Sequence, residues 1–234
     1  MEKIIKYNEL KKDVQEFIDK FNDITKKDVI VEELLQGWRI LYSNIIEDCK
    51  VLLVGINPGR GEGIGTRNYE LEPLEILEYI DDTRNKYRLA SLVKNIFIEC
   101  NAFDLLTKQT MKINTKFYST IGTNELFEIE KHVHNIYPNL YNEMMKNNTI
   151  WLDDLINKII QPKLIIAEGK SAFDFLDNEV YPNINNDWTN ILVWNGSAGA
   201  WKRNDGLLLF GFSRSWDNSA IEIAKHLEPI LKEL

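Results

Sequence analysis

Four short apolar runs punctuate this chain, and each is bounded by turn-forming or polar residues. They are KVLLVGIN (Lys50 to Asn57), NIFIECNAF (Asn95 to Phe103), KLIIAEG (Lys163 to Gly169) and GLLLFGFS (Gly206 to Ser213), with NILVWN (Asn190 to Asn195) as a fifth, weaker run. A continuous apolar run of this length fits a strand buried on both faces, as in a parallel sheet covered by helices. Helical periodicity fills the intervals at Leu74 to Ile80, Arg88 to Lys94, Asn124 to Val133, Trp151 to Ile160, Ser171 to Leu176 and Asn218 to Leu231. Ahead of the first run, Leu10, Val14, Phe17, Ile18 and Phe21 recur at helical spacing, and a second helix is expected from Val31 to Tyr42. Strands alternating with helices imply right-handed crossovers, and so an α/β chain folded as a three-layer α/β/α sandwich around a central, mostly parallel sheet.

The 234 residues suit one domain, 1–234, in which residues 1–40 form a helical N-terminal extension. No apolar run approaches the roughly 18 to 20 residues of a membrane span, and MEKIIKYNELKKD lacks the apolar stretch of a signal peptide, so a cytoplasmic protein without a membrane partner is expected. The two cysteines, Cys49 and Cys100, have neither CxxC nor Cys/His spacing, which speaks against a disulfide framework or a zinc site. A net charge of -8 is unhelpful to a nucleic-acid partner, but it is unevenly spread. Between Thr83 and Lys116, seven basic residues (Arg84, Lys86, Arg88, Lys94, Lys108, Lys112, Lys116) stand against Glu99 and Asp104. Either a basic face on an acidic protein or scattered solvated lysines fits that count.

In open α/β sheets ligands bind at the carboxyl ends of the strands. That rule selects Asn57, Asn101, Gly169 and Ser213, of which the two carboxamides can both donate to and accept from a nucleobase edge or a water. Competing motifs are weak. The alternating Gly59, Gly61, Gly63 and Gly65 match neither GxGxxG nor a P-loop. Ser197 in WNGSAGAW imitates a nucleophile elbow, but Asn195 occupies the first glycine position. His132 and His134, two apart, fall on different faces of a helix, and Asp153 and Asp154 suit an exposed helix start. Trp188, Trp194 and Trp201 are more often core or interface aromatics than base-stacking groups, with the stacking role left open by their place in the chain.

Taken together, VLLVGINPGRGEGIGT, IECNAFDLLT, QPKLIIAEGKSAFDFL and LLLFGFSRSWDNSA resemble, in order and spacing, the active-site segments of the uracil-DNA glycosylase superfamily over roughly Leu41 to Leu234. The first motif is most similar to the mismatch-specific (G:T/U) and single-strand-selective branches. The resemblance implies a monofunctional DNA glycosylase, a monomer acting on a base flipped out of DNA, with no cofactor and no metal. Asn57 would take the catalytic, water-positioning place. Ile56, through its backbone amide, Tyr69 as an aromatic platform, Asn101 through its side chain and Ser213 would bind the base. Arg60, Arg214 and Trp216 would contact DNA, with Trp216 as a wedge.

Breaking an N-glycosidic bond passes through an oxocarbenium-like sugar and an anionic departing base, so donors must face the base and an acceptor must hold the water. A neutral Asn57 can orient water but cannot take its proton, which implies slow turnover. Extruding the nucleotide costs less when it is mispaired, so mismatched or modified pyrimidines are the expected substrates. The chain departs from the family at its second motif, where Gly211, Phe212 and Ser213 replace a histidine or asparagine followed by Pro-Ser. A non-catalytic nucleic-acid or nucleotide-binding protein on the same scaffold is the alternative that this departure motivates. An enzyme acting on free nucleosides or nucleotides is a weaker one.

Overall fold

In the computed structural model the described residues are 2–56, 68–69 (backbone only), 71–82, 87–181, 187–214 and 219–234. The central sheet has six strands in the order β4-β2-β6-β9-β8-β7. Its first four members, β4 (Thr110–Asn114), β2 (Val51–Gly55), β6 (Leu164–Glu168) and β9 (Leu208–Phe212), run parallel. Beyond them β8 (Ala198–Arg203) and β7 (Trp188–Leu192) continue antiparallel. A small second sheet joins β1 (Gly37–Trp38) to β3 (Asn68–Tyr69) and β5 (Tyr118–Ser119).

Because side chains alternate along a strand, each parallel strand feeds two cores. Leu52, Val54, Met111, Ile113, Ile165, Ala167 and Leu209 face α1 (Glu2–Thr25), α2 (Val29–Leu34), α5 (Thr123–Ile136), α6 (Pro138–Asp153) and α7 (Lys170–Phe175). Val51, Leu53, Leu164, Ile166, Leu208 and Phe210 face α3 (Arg88–Glu99), α4 (Phe103–Lys108) and α8 (Ala220–Leu231). Helices on both faces of a mostly parallel sheet make the α/β/α sandwich expected of the sequence. Helix α1 is part of the first core: Tyr7, Leu10, Val14, Phe17, Ile18 and Phe21 are buried in it, with Phe17 and Phe21 edge-on to Trp38. Among the described residues no helix is long and apolar enough to cross a membrane.

Three expectations need correction. The helix expected from Val31 to Tyr42 ends at Leu34, because Gly37 at φ 140° turns the chain into β1. Leu74 to Ile80 is a run of bends and turns. Most consequentially, Asn95 to Phe103 is not a strand. Ala90, Val93, Ile96 and Phe97 form the buried stripe of helix α3, packed against α8, and the true strand is Thr110–Asn114. In a strand Ile96 and Ile98 would share a face, whereas in α3 Ile96 is 2% exposed and Ile98 is 52% exposed.

Urea unfolding therefore separates the two: Ile96→Ala costs about 2–5 kcal/mol, and Ile98→Ala stays within about 0.5 kcal/mol of the parent.

Candidate functional site

The carboxyl ends of β4, β2, β6 and β9 form one edge, and the backbone fixes it firmly. Past the strand ends, Thr115 N–H donates to Gly55 O at 2.8 Å and Lys116 N–H to Ile56 O at 3.0 Å. Thr115 Oγ1 donates a further 2.6 Å bond to Ile56 O. Two residues beyond the sheet, the exit of β2 is thus still tied to the exit of β4. Asn57 follows immediately.

On the last rung of the sheet Asn114 is paired with Gly55, Ala167 is paired with Val54 so that Glu168 stands beside Gly55, and Glu168 is paired with Phe212. Counting by twos from Leu53 and Ile166 puts Gly55 and Glu168 on the α3/α8 face, and Lys112 and Asn114 share that face. Gly55 is a gap between two polar neighbours. A methyl group there would sit 2.2 Å from Asn114 Oδ1 and 3.4 Å from Glu168 Oε2, so the carboxamide and the carboxylate lean over the same glycine. No other residue type leaves that space.

Beneath them lies a buried charge cluster. Lys112 Nζ is 2.8 Å from Glu78 Oε1 and 3.3 Å from Glu168 Oε2, and it donates to the Tyr79 hydroxyl at 2.7 Å. Its ammonium also lies 4.3 Å from the Tyr79 ring centroid and 5.6 Å from that of Tyr42. The Tyr87 hydroxyl donates to Glu78 Oε1 at 2.6 Å. One cation therefore serves two carboxylates. Glu168 Oε1, closed to solvent, has no hydrogen-bond partner among the described residues. Burial, reinforced by the neighbouring carboxylates, holds the hydroxyls of Tyr42, Tyr79 and Tyr87 well above the usual phenol range.

A second buried cation, Lys116, pairs with Glu130 at 3.3 Å and lies 4.6 Å from the Phe175 ring centroid, while the Tyr118 hydroxyl also donates to Glu130. Burial lowers the Lys116 ammonium below its ordinary value, with Glu130 opposing that shift. Lys112 and Lys116 thus belong to the interior, and Lys108 pairs with Asp104, while Arg84 and Lys86 lie outside the described residues. Of the basic residues read from the sequence, Lys112 and Lys116 are internal, whereas Arg88 and Lys108 are exposed.

The predicted site residues are dispersed. Asn101 is corrected outright: it follows α3 as an exposed residue at φ 53° and leads into α4, which ends at the amino end of β4, where Thr110 Oγ1 donates to Leu105 O. It does not reach the carboxyl edge. Ile56 is at the edge with its carbonyl engaged as above. Ser213 follows β9, its N–H donating to Ser197 O at 2.7 Å. Arg214 is exposed, and its side chain lies along Gly169 (φ 112°), where a Cβ would sit 3.3 to 3.4 Å from the arginine Nε, Cδ and Cγ. Tyr69 has its backbone paired with Trp38 in β3. Asn57, Arg60 and Trp216 lie outside the described residues. His132 is bonded to Asp28, the cap of α2, at 2.8 Å, and Ser197 sits in a turn where Asn195 Oδ1 accepts its N–H. Among the described residues no group of three or more His, Cys, Asp and Glu side chains is placed to hold a metal ion.

Asn114, Lys112 and Glu168 escaped sequence reading. The signal available was the TMKIN stretch ahead of Lys116, polar at every second position, and the glutamate closing an otherwise apolar LIIAE run. No protein-family model matches this chain, and no curated protein does.

Two outcomes follow from the cluster. Removing the shared cation leaves two buried carboxylates, so Lys112→Met lowers stability by about 3–5 kcal/mol in urea unfolding, and adding Glu78→Gln restores part of the loss. In alkali, the unfolded chain loses phenol protons around pH 10.0 while the folded chain keeps them. The stabilisation is whole below that value and is lost as pH rises through it. Buried Cys49 and Cys100, pushed up from 9.0 to about 12 and about 11, act in the same sense. Lys116, lowered from 10.5, acts in the opposite one. The unfolding midpoint falls as pH passes from 9 to 11, and the phenolate absorbance of buried Tyr42 and Tyr79 rises only with unfolding.

Proposed function

We propose that this protein is a DNA glycosylase that hydrolyses the N-glycosidic bond of uracil, or of a related mismatched or modified pyrimidine, in DNA. The observation that carries the reading is the last rung, where the Asn114 carboxamide folds over Gly55, two residues ahead of Asn57. The resemblance calls for a base-reading asparagine following a strand; Asn101 follows a helix, whereas Asn114 is the last residue of β4, paired with Gly55. A carboxamide can donate to a base carbonyl and accept from the adjacent imino group, and buried donors of this kind strengthen as charge develops on the departing base. The ties from Thr115 and Lys116 to Gly55 and Ile56 support it further, because they hold Ile56, the residue before Asn57 in sequence, against the Asn114 strand end.

In the reaction a water oriented by Asn57 bonds through oxygen to C1′ as the C1′–N bond breaks. The bond's electron pair leaves with the base, which then takes up a proton. The extruded base sits against Asn114, and Arg214 stands at the rim for a phosphate. The protein works on DNA in the cytoplasm as a monomer, without cofactor.

One observation favours a second reading. Where a neutral donor to the departing base would follow β9, the chain places Phe212, which is buried in the α3/α8 core, and Ser213. A protein that kept the scaffold and binds nucleic acid without cleaving it fits that feature.

Incubation with single-stranded and duplex DNA containing uracil, G:U, G:T and modified pyrimidines decides between them. The glycosylase reading expects alkali-labile abasic sites, a loss of about 10²-fold or more for Asn114→Ala, and near-parental rates for Asn101→Ala. Salt-sensitive binding with no abasic sites selects the binding protein.

A further inference from the structure

A carboxamide cannot accept the proton that the attacking water must give up, so a site resting on Asn57 alone lacks a base. The last rung supplies one. We infer that Glu168 is the proton-accepting carboxylate of this site, an inference that rests on the glycosylase reading and names a residue that reading did not contain.

The position comes first. Glu168 closes β6, the strand next to β2, and its carboxylate leans over Gly55 from the side opposite Asn114. A substrate read by Asn114 and attacked beside Asn57 is therefore flanked by Glu168. Asn57 follows Gly55 by two residues in the sequence.

The state of the carboxylate comes second. Oε2 is 3.3 Å from Lys112 Nζ, which fixes the group in place, while Oε1 is buried with no partner among the described residues. A buried acceptor without a donor is costly, and such atoms are rare in folded proteins. Among the described residues Lys112 is the one cation paired with Glu78 and Glu168, and the Arg39 guanidinium lies 5.4 Å from the Tyr42 ring centroid. The groups facing Glu168 are Lys112 from β4, Glu78 and Tyr79 from the 71–80 turns, Tyr87 ahead of α3 and Tyr42 ahead of β2. Lys112 is the sole cation paired with Glu168 among the described residues.

That arrangement has two uses in the proposed reaction. The negative charge of the Glu168 carboxylate stabilises the oxocarbenium-like sugar as the base departs. Oε1 then takes the proton of the water while its oxygen bonds to C1′ and the C1′–N electron pair leaves with the base. The proton passes from Glu168 to the base or to solvent, so water is the only co-reactant. Lys112 is a positioning residue, holding Oε2 so that Oε1 is the free acceptor.

Single-turnover base release from the preferred substrate of the parent protein tests this, with DNA affinity measured in parallel. Glu168→Gln keeps the shape and loses the base: a drop of about 10²- to 10⁴-fold at unchanged affinity is expected, together with loss of the acidic limb of the pH profile. Glu168→Ala regains rate in added formate, and Glu168→Asp retains part of it. A parental rate for Glu168→Gln overturns the inference and leaves the glycosylase reading standing. Equal loss of rate and affinity without formate rescue assigns Glu168 a structural role and also overturns it. A parent protein that releases no base from any substrate overturns both.

Discussion

The ammonium of Lys112, set in the middle of a parallel strand, is the contact on which the carboxyl edge of this sheet depends. Charged groups stay buried only when paired, and this one joins three pieces of chain that are distant in sequence: β4, the end of β6 at Glu168, and the 71–80 turns at Glu78 and Tyr79. Without its carboxylate partners β4 would carry an unpaired lysine into an apolar layer, and without the lysine β6 would end in an unbalanced carboxylate. With it, Tyr42, Tyr79 and Tyr87 wrap a small polar interior directly under the strand ends.

That interior sets the chemistry available above it. Gly55 contributes an absence, and the two side chains that use the space differ in kind: Asn114 both donates and accepts, whereas ionised Glu168 only accepts. One suits the edge of a base and the other suits a proton or a developing positive charge. The exits of β2 and β4 stay bonded for two residues past the sheet, so whatever follows Ile56 starts from a fixed point relative to both groups. A carboxamide, a carboxylate and a fixed backbone platform thus meet in adjacent strands, which is the arrangement the proposed reaction draws on.

Much of the scaffold was legible in the sequence, and the errors have a common physical origin. Strands β2, β6 and β9 bury both faces and read as unbroken apolar runs, which is why the α/β/α layering could be foreseen. Helix α3 also contains an apolar cluster, Ile96, Phe97 and Ile98, and the exposed Ile98 disguised its helical stripe as a strand. Strand β4 was hidden for the reverse reason, since Thr110, Lys112 and Asn114 are polar although all three are buried. Its burial rests on partners contributed by distant segments, which local pattern cannot reveal. The same confusion placed Asn101 at a strand end, where it is an exposed residue between helices, and overlooked Asn114 on the true strand. Sequence therefore located the first motif and missed the residues facing it, because pairing across strands, and not spacing along the chain, brings them together.

The convergence of Asn114 and Glu168 over Gly55 is the centre of this account, and Gly55→Ala tests it most directly. The added methyl group meets Asn114 Oδ1 at 2.2 Å and must drive that side chain aside, while the strand pairing on either side is untouched. The account predicts a folded variant whose base release from DNA collapses even though it still binds DNA. A folded Gly55→Ala protein releasing base at the parental rate would contradict it.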